Sequence, residues 1–278
     1  MSDSVPVWVD GRVRSGGTVS VRDEGLLLGL GVFETVKMVS GRAFLLEEHC
    51  ERMASSAAFL GLPSLAWEPA DAVAELAGPA ADALETGEFG MRITWTRGAP
   101  GRGPSLVVIP RSLPGTEEPV RLMISPWPKQ ADDPFESHKT VARTRNALAR
   151  DAALAQGCFD ALQVTVDGDV SEGTVCNVFI VTTGGTLATP ALDRGCLPGT
   201  TRAVILADAR TLGLEVTEGR LALADLDAAS EVFTTNSLDG ILPVSSVDGC
   251  GSWPAPGPLT TRLAESWNAR LVAFREED

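Results

Sequence analysis

Three short stretches of this 278-residue chain hold side chains able to do chemistry. The first is His138-Lys139-Thr140, read as the start of a helix spanning 140–156. A lysine there could be a solvated cation. It attacks carbonyl carbons only if burial or a neighbouring cation depresses its pKa, and Arg143, one turn along, is the cation on offer if it faces the same way. The second is Val170-Ser171-Glu172-Gly173-Thr174, between two strands expected to be buried. Glu172 there is either a plain turn residue or the carboxylate that keeps a cofactor's ring nitrogen protonated. The third is L-P-G-T-T-R at 197–202, leading into a helix. Free backbone N–H groups and two hydroxyls at a helix start suit a phosphate, although an ordinary threonine N-cap reads the same way.

The elements that must position these residues follow from periodicity and turn chemistry. Apolar residues flank Asp10-Gly11 in a first hairpin, and 33–39 and 42–46 form a second about Ser40-Gly41. A helix should follow, with Leu46, His49 or Cys50, Met53, Ala57 and Leu60 on one face, stopped at Gly61-Leu62-Pro63. Residues 70–84 read as a helix dented at Gly78-Pro79. Strands at 91–95 and 106–109 bracket a glycine-rich loop at 97–104. Three prolines and a glycine at 110–119 mark a boundary. The expected domains are therefore 1–112, a linker at 113–120, and 121–278, the last carrying Lys139. The second half continues with a strand at 121–124, a hairpin about Asp167-Gly168, a helix from Thr200 to about 211, and late strands at 231–234 and 241–244. Leu259, Leu263, Trp267 and Leu271 form the core stripe of a last helix. The class is mixed α/β.

Composition removes several functions. A net charge of −14 repels phosphate backbones, so nucleic acid is not an expected partner. Only two histidines, His49 and His138, exclude a His-rich metal site, and no metal is expected. Five scattered cysteines without CxxC spacing read as reduced thiols. No run of about 18 apolar residues and no leader pattern are seen, so a cytoplasmic protein without membrane contact is the expectation. Tyrosine is absent, and no phenol can serve as acid, base or donor.

Seven ordered motifs resemble the class-IV aminotransferase family, the fold-type IV enzymes of pyridoxal 5′-phosphate (PLP). They are G-L-G-V-F-E-T-V-K at 29–37, E-E-H-C-E-R-M at 47–53, T-R-G-A-P-G-R-G at 96–103, K-T-V-A-R-T-R-N-A-L-A at 139–149, D-G-D-V-S-E-G-T-V-C-N-V-F at 167–179, L-P-G-T-T-R at 197–202 and T-N-S-L-D-G-I-L-P-V at 235–244. The resemblance implies a smaller N-terminal α/β lobe, a larger C-terminal lobe and a homodimer. It implies that Lys139 carries PLP covalently and moves the substrate proton, that Glu172 pairs with the pyridine nitrogen, and that Arg52, Thr200, Thr201, Asn236 and Ser237 hold the phosphate. Phe33 and Thr35 would line the substrate side.

Two features resemble the aminodeoxychorismate lyases within that family. The R-G-x-x-G-R-G loop would bring Arg97 and Arg102 to a substrate carboxylate, and T-N-S-L differs from the turns of the transaminases. A small anionic amino-substrate is therefore expected, 4-amino-4-deoxychorismate giving 4-aminobenzoate and pyruvate. The alternative is a transaminase for branched-chain amino acids, D-amino acids or amines. Relatives acting on D-amino acids often carry tyrosine where Phe33 stands, and that mode of carboxylate binding is lost here. A non-catalytic scaffold is disfavoured because Lys139, Glu172 and Arg52 are all retained.

Overall fold

The computed structural model describes residues 5–276; the first four residues, where the leader reading begins, and the last two lie outside it. It resolves two compact units. Among the described residues, one holds 5–114, His138–Ala142 and 271–276; the other holds Gly115–Ser137 and Arg143–Arg270. Lys139, placed by the sequence reading with the second half, thus packs with the first unit.

The first unit contains β1 (Val7–Val9), β2 (Arg12–Arg14), α1 (Glu24–Leu28), β3 (Gly31–Val39), β4 (Arg42–Phe44), α2 (Leu46–Phe59), α3 (Pro69–Leu84), β5 (Glu88–Ala99) and β6 (Gly103–Arg111). The strands form one sheet in the order β2-β1-β6-β5-β3-β4. Alternation along β3 sends Val32, Val36 and Met38 into the core with Met53 and Ala57 of α2 and Leu76 of α3. Phe33, Thr35 and Lys37 take the other, half-buried face. The helix expected to be dented at Pro79 runs unbroken over Pro69–Leu84. Burial of Val73, Leu76, Ala77 and Ala80 offsets the one backbone bond that proline cannot make.

The expected loop at 97–104 is largely strand: β5 continues to Ala99 and β6 starts at Gly103, with Ala99 paired to Gly103. Gly98 makes this possible, at φ +76° and with its Cα so close that a Cβ would lie 1.7 Å from the Gly103 carbonyl oxygen. Gly98→Ala should therefore lower the thermal midpoint by on the order of 5 °C. An unchanged midpoint in a melting curve would contradict this reading of the hairpin.

The second unit contains β7 (Val120–Ile124), α4 (Thr144–Ala155), β8 (Asp160–Val164), β9 (Val170–Gly173), β10 (Asn177–Val181), β11 (Leu187–Pro190), α5 (Thr200–Thr211), β12 (Val216–Gly219), α6 (Leu223–Asp227), β13 (Glu231–Asn236), β14 (Gly240–Asp248), β15 (Gly251–Ser252) and most of α7 (Pro258–Glu276). Its mixed sheet runs β12-β11-β10-β13-β14-β7-β8-β9, with β15 beside β14. Val178, Ile180, Val232, Leu242 and Val244 supply one apolar layer. On the opposite face Phe179 stacks on its cross-strand partner Phe233, with centroids 5.0 Å apart.

The helix expected from residue 140 starts only at Thr144. The residues before it are taken by the open end of β3: Phe33 N donates to the Lys139 carbonyl (2.9 Å) and Val141 N to the Gly31 carbonyl (2.9 Å). The β-branched pair Thr140-Val141 suits this extended pairing better than a helical turn. Lys139 therefore lies ahead of the helix, and the one-turn spacing expected between it and Arg143 is not formed.

Candidate active site

In the first unit, β3 and α2 set a charged cluster inside an apolar layer. Glu34 occupies the core register of β3 between Val32 and Val36 and is fully buried. Its carboxylate accepts Arg52 Nε at 2.7 Å on Oε1, and Arg52 Nη2 at 2.7 Å on Oε2. His49 Nδ1 lies 2.7 Å from Oε2. His49 and Arg52 stand three residues apart on α2, so one helix face presents both to the carboxylate. Burial alone would raise the Glu34 pKa; the Arg52 guanidinium, the His49 bond and the charge of Lys139 outweigh it and hold it at about 2. Burial depresses His49, and its Glu34 partner opposes this without reversing it. A neutral His49 must then carry its proton on Nδ1 to donate to Glu34.

Lys139 is fixed through its backbone, whose N–H donates to Ser56 Oγ at 3.3 Å on α2. Its Nζ lies 5.0 Å from the centre of the Phe33 ring. The Arg92 guanidinium lies 3.7 Å from the centre of the same ring. Burial, with the nearby Arg111 charge, lowers Arg92 to about 10, still cationic at neutral pH. Thr35 pairs across the sheet with Arg92. Lys139, Arg92, Phe33 and Thr35 thus form one neighbourhood. Arg97 is engaged elsewhere, donating to Glu24 (3.4 Å) and to the Leu60 carbonyl (3.1 Å). Arg102 stands exposed in the β5–β6 turn. His138 stacks on Phe59 at 4.0 Å beside the lysine.

The sequence holds just three lysines, Lys37, Lys129 and Lys139. Lys37 is drawn to Glu88 at 3.9 Å. Lys129 is wholly buried and paired with Glu136 (3.0 Å) and Glu172 (3.2 Å). Burial would push Lys129 down, but the two carboxylates outweigh it and hold it above the ordinary lysine value. A lysine held in its protonated form is a poor nucleophile.

In the second unit, Glu172 lies in β9 and is buried. Its Oε2 accepts Leu197 N at 2.9 Å and Asn177 Nδ2 at 3.2 Å, and its Oε1 accepts Lys129 Nζ at 3.2 Å. Asn177 also donates to the Leu197 carbonyl at 3.0 Å, tying Glu172 to the stretch that opens α5. The approach there is so close that a Cβ on Gly199 would lie 2.0 Å from Asn177 Oδ1. Across the sheet Asn177 pairs with Thr235, next to Asn236 and Ser237. Glu172, the 197–201 stretch and the 235–237 turn are therefore gathered by one asparagine. The Asn236 side chain is spent on its own turn, accepting Leu238 N and Asp239 N at 2.9 Å each.

Gly199, the N-cap of α5, has no side chain with which to cap the N–H groups of the first turn. Thr201 Oγ1 is buried there with no hydrogen-bond partner among the described residues. A buried hydroxyl without a partner, beside a helix N-terminus, suits an oxygen-rich anion such as a phosphate. Within the second unit these residues suit groups that PLP carries: the hydroxyls of Thr200 and Thr201 for a phosphate, and the Glu172 carboxylate for a ring nitrogen. Sequence reasoning missed Lys129, which sits in a W-P-K-Q loop that reads as surface. It also missed Glu34 as the partner of Arg52; its acidic side chain in the apolar register of β3 was the available signal.

The family model for amino-transferase class IV matches residues 31–247. An aminodeoxychorismate lyase of Bacillus subtilis is 28% identical over 277 residues, 92% of each chain. A D-alanine aminotransferase of Bacillus licheniformis is 30% identical over 270 residues, covering 92% of this chain and 94% of its own. The crystal structure of 4-amino-4-deoxychorismate lyase from Pseudomonas aeruginosa superposes with a TM-score of 0.79 at 30% identity, covering 95% of this chain and 98% of the other. This chain belongs to amino-transferase class IV, a PLP-dependent enzyme family. Its fold is that of the fold-type IV enzymes. No described helix is long and apolar enough to cross a membrane.

Proposed function

We propose that the protein is a lyase that converts 4-amino-4-deoxychorismate to 4-aminobenzoate and pyruvate. The observation that carries this reading is the convergence of Lys139 and Arg92 on Phe33, at 5.0 and 3.7 Å from the ring centre, in a protein of net charge −14. Local cations in an acidic chain suit a dianionic substrate. Phe33 has no hydroxyl to offer an amino-acid carboxylate. Arg92, and Arg102 from the β5–β6 turn, are the cations available to the two carboxylates; Arg97 instead braces α1. The lyase from Bacillus subtilis, matched along 92% of its length, supports the same reading.

When bound, PLP supplies the electron sink for the amino-bearing carbon. Lys139 and Arg52, with Glu172, Thr200, Thr201 and the Asn236-Ser237 turn, are the residues proposed to hold it. Lys139 takes the proton from C4 of the substrate. The ether C–O bond to the enolpyruvyl group breaks, the ring becomes aromatic, and a proton is returned to the departing group, which leaves as pyruvate. Atoms balance without oxidant or acceptor. Aromatisation drives the step, so the protein has mainly to position the substrate and move one proton.

Transamination is the competing reading, favoured by the 30% identity to a D-alanine aminotransferase. Purified protein given 4-amino-4-deoxychorismate and no keto acid should release 4-aminobenzoate and pyruvate in equal amounts. No aromatic product, together with turnover of an amino acid and 2-oxoglutarate, would replace the lyase by the transaminase. Homodimeric assembly is proposed with this function.

A further inference from the structure

We propose that Lys129 is a positioning residue that aims and charge-balances the Glu172 carboxylate. The inference rests on the reading of Glu172 as the partner of the PLP ring nitrogen. Lys129 is wholly buried, and a buried ammonium is costly unless its charge is used. Its Nζ donates to Glu172 Oε1 (3.2 Å) and Gln163 Oε1 (3.2 Å) and lies 3.0 Å from Glu136 Oε2. With Asn177 and Leu197 N on Oε2, the Glu172 carboxylate is gripped at both oxygens. Rotation of that group is thereby blocked, and its remaining lone pairs keep a fixed direction.

The charges point the same way. Lys129 is a cation bonded directly to the Glu172 carboxylate, and Glu136, half-buried and 3.3 Å from Arg145, holds the same ammonium from its other side. A carboxylate so held presents a fixed negative end to a protonated ring nitrogen. A packing role would need no charge at all; a methionine would fill the space.

The test compares PLP affinity, read by tryptophan fluorescence of the apoprotein, for the native chain, Lys129→Met, Glu172→Gln and the double variant. Lys129→Met should weaken PLP binding about tenfold or more when Glu172 is present. In the Glu172→Gln background the same change should cost less than about threefold, because the carboxylate it serves is gone. Equal losses in both backgrounds would assign Lys129 to packing and overturn the proposal, as would an unchanged affinity in the single variant. If Lys129→Met does not fold, Glu136→Gln perturbs the same ammonium from its other side, and the same comparison decides. A native chain that binds no PLP would fail the reading of the site itself, an outcome distinct from any of these.

Discussion

Lys139→Ala should lower turnover on the order of 10³-fold or more while the protein stays folded. The backbone of residue 139 makes the structural contacts, receiving Phe33 N and donating to Ser56 Oγ, and alanine preserves both. One contact of the side chain is its approach to the Phe33 ring, a contribution of about 0.5–1 kcal/mol at a partly exposed site. The loss should therefore fall on catalysis and on the borohydride-fixable PLP adduct, with little change in the melting curve. Mass spectrometry of the reduced protein is the decisive measurement. Lys129, buried between carboxylates, should take no adduct in the variant. An adduct that persists in Lys139→Ala, or turnover within tenfold of the native rate, would remove Lys139 from the proposed role.

Glu34→Ala should cost about 3–5 kcal/mol of unfolding free energy. It strands the Arg52 guanidinium, only 9% exposed, and the buried His49 ring without their shared acceptor. Arg52 should also lose its aim, so PLP affinity should fall with stability. The pH dependence has a definite sign. Glu34 is held at about 2, below its ordinary 4.5, so its contribution is complete above 4.5 and is lost as pH falls towards 2. His49, depressed below 6.5, acts in the same sense, its neutral form becoming harder to keep as the solution acidifies. Urea unfolding between pH 5 and 2 should show a steep loss in the native chain and a shallower one in Glu34→Gln. A penalty under about 1 kcal/mol for Glu34→Ala would show the cluster to be dispensable.

Much of this was legible in the sequence where chemistry and secondary structure agree. The hairpins about Asp10-Gly11 and Ser40-Gly41 stand where their turn residues put them. The helix beginning at Thr200 follows from Gly199-Thr200-Thr201. What escaped depends on contacts distant in the chain. Lys129 looks solvated among prolines, and only strands 34 and 43 residues further on bury it. The start of α4 was misplaced because residues 139–141 pair with β3, more than 100 residues earlier. α1 went unnoticed because its leucines, 61–66% exposed, make no amphipathic stripe. Among the site residues, the sequence suggests types but not employment: Arg97 and Asn236 were read as ligand-facing, and their side chains serve the local chain.

The edge pairing of residues 139–141 with β3 bears on how such a gene can be shuffled. The first unit is written in three separated passages, and its last passage is the end of the chain, where Arg42 donates to the Phe274 carbonyl and Arg275 to Glu88. A recombination that respects the proline-rich stretch at 110–119 would look clean on paper. It would part β3 from the lysine that completes its edge, and α2 from the serine-anchored backbone it holds. Exchange between relatives can therefore preserve the lysine's setting only if the crossover carries all three passages together.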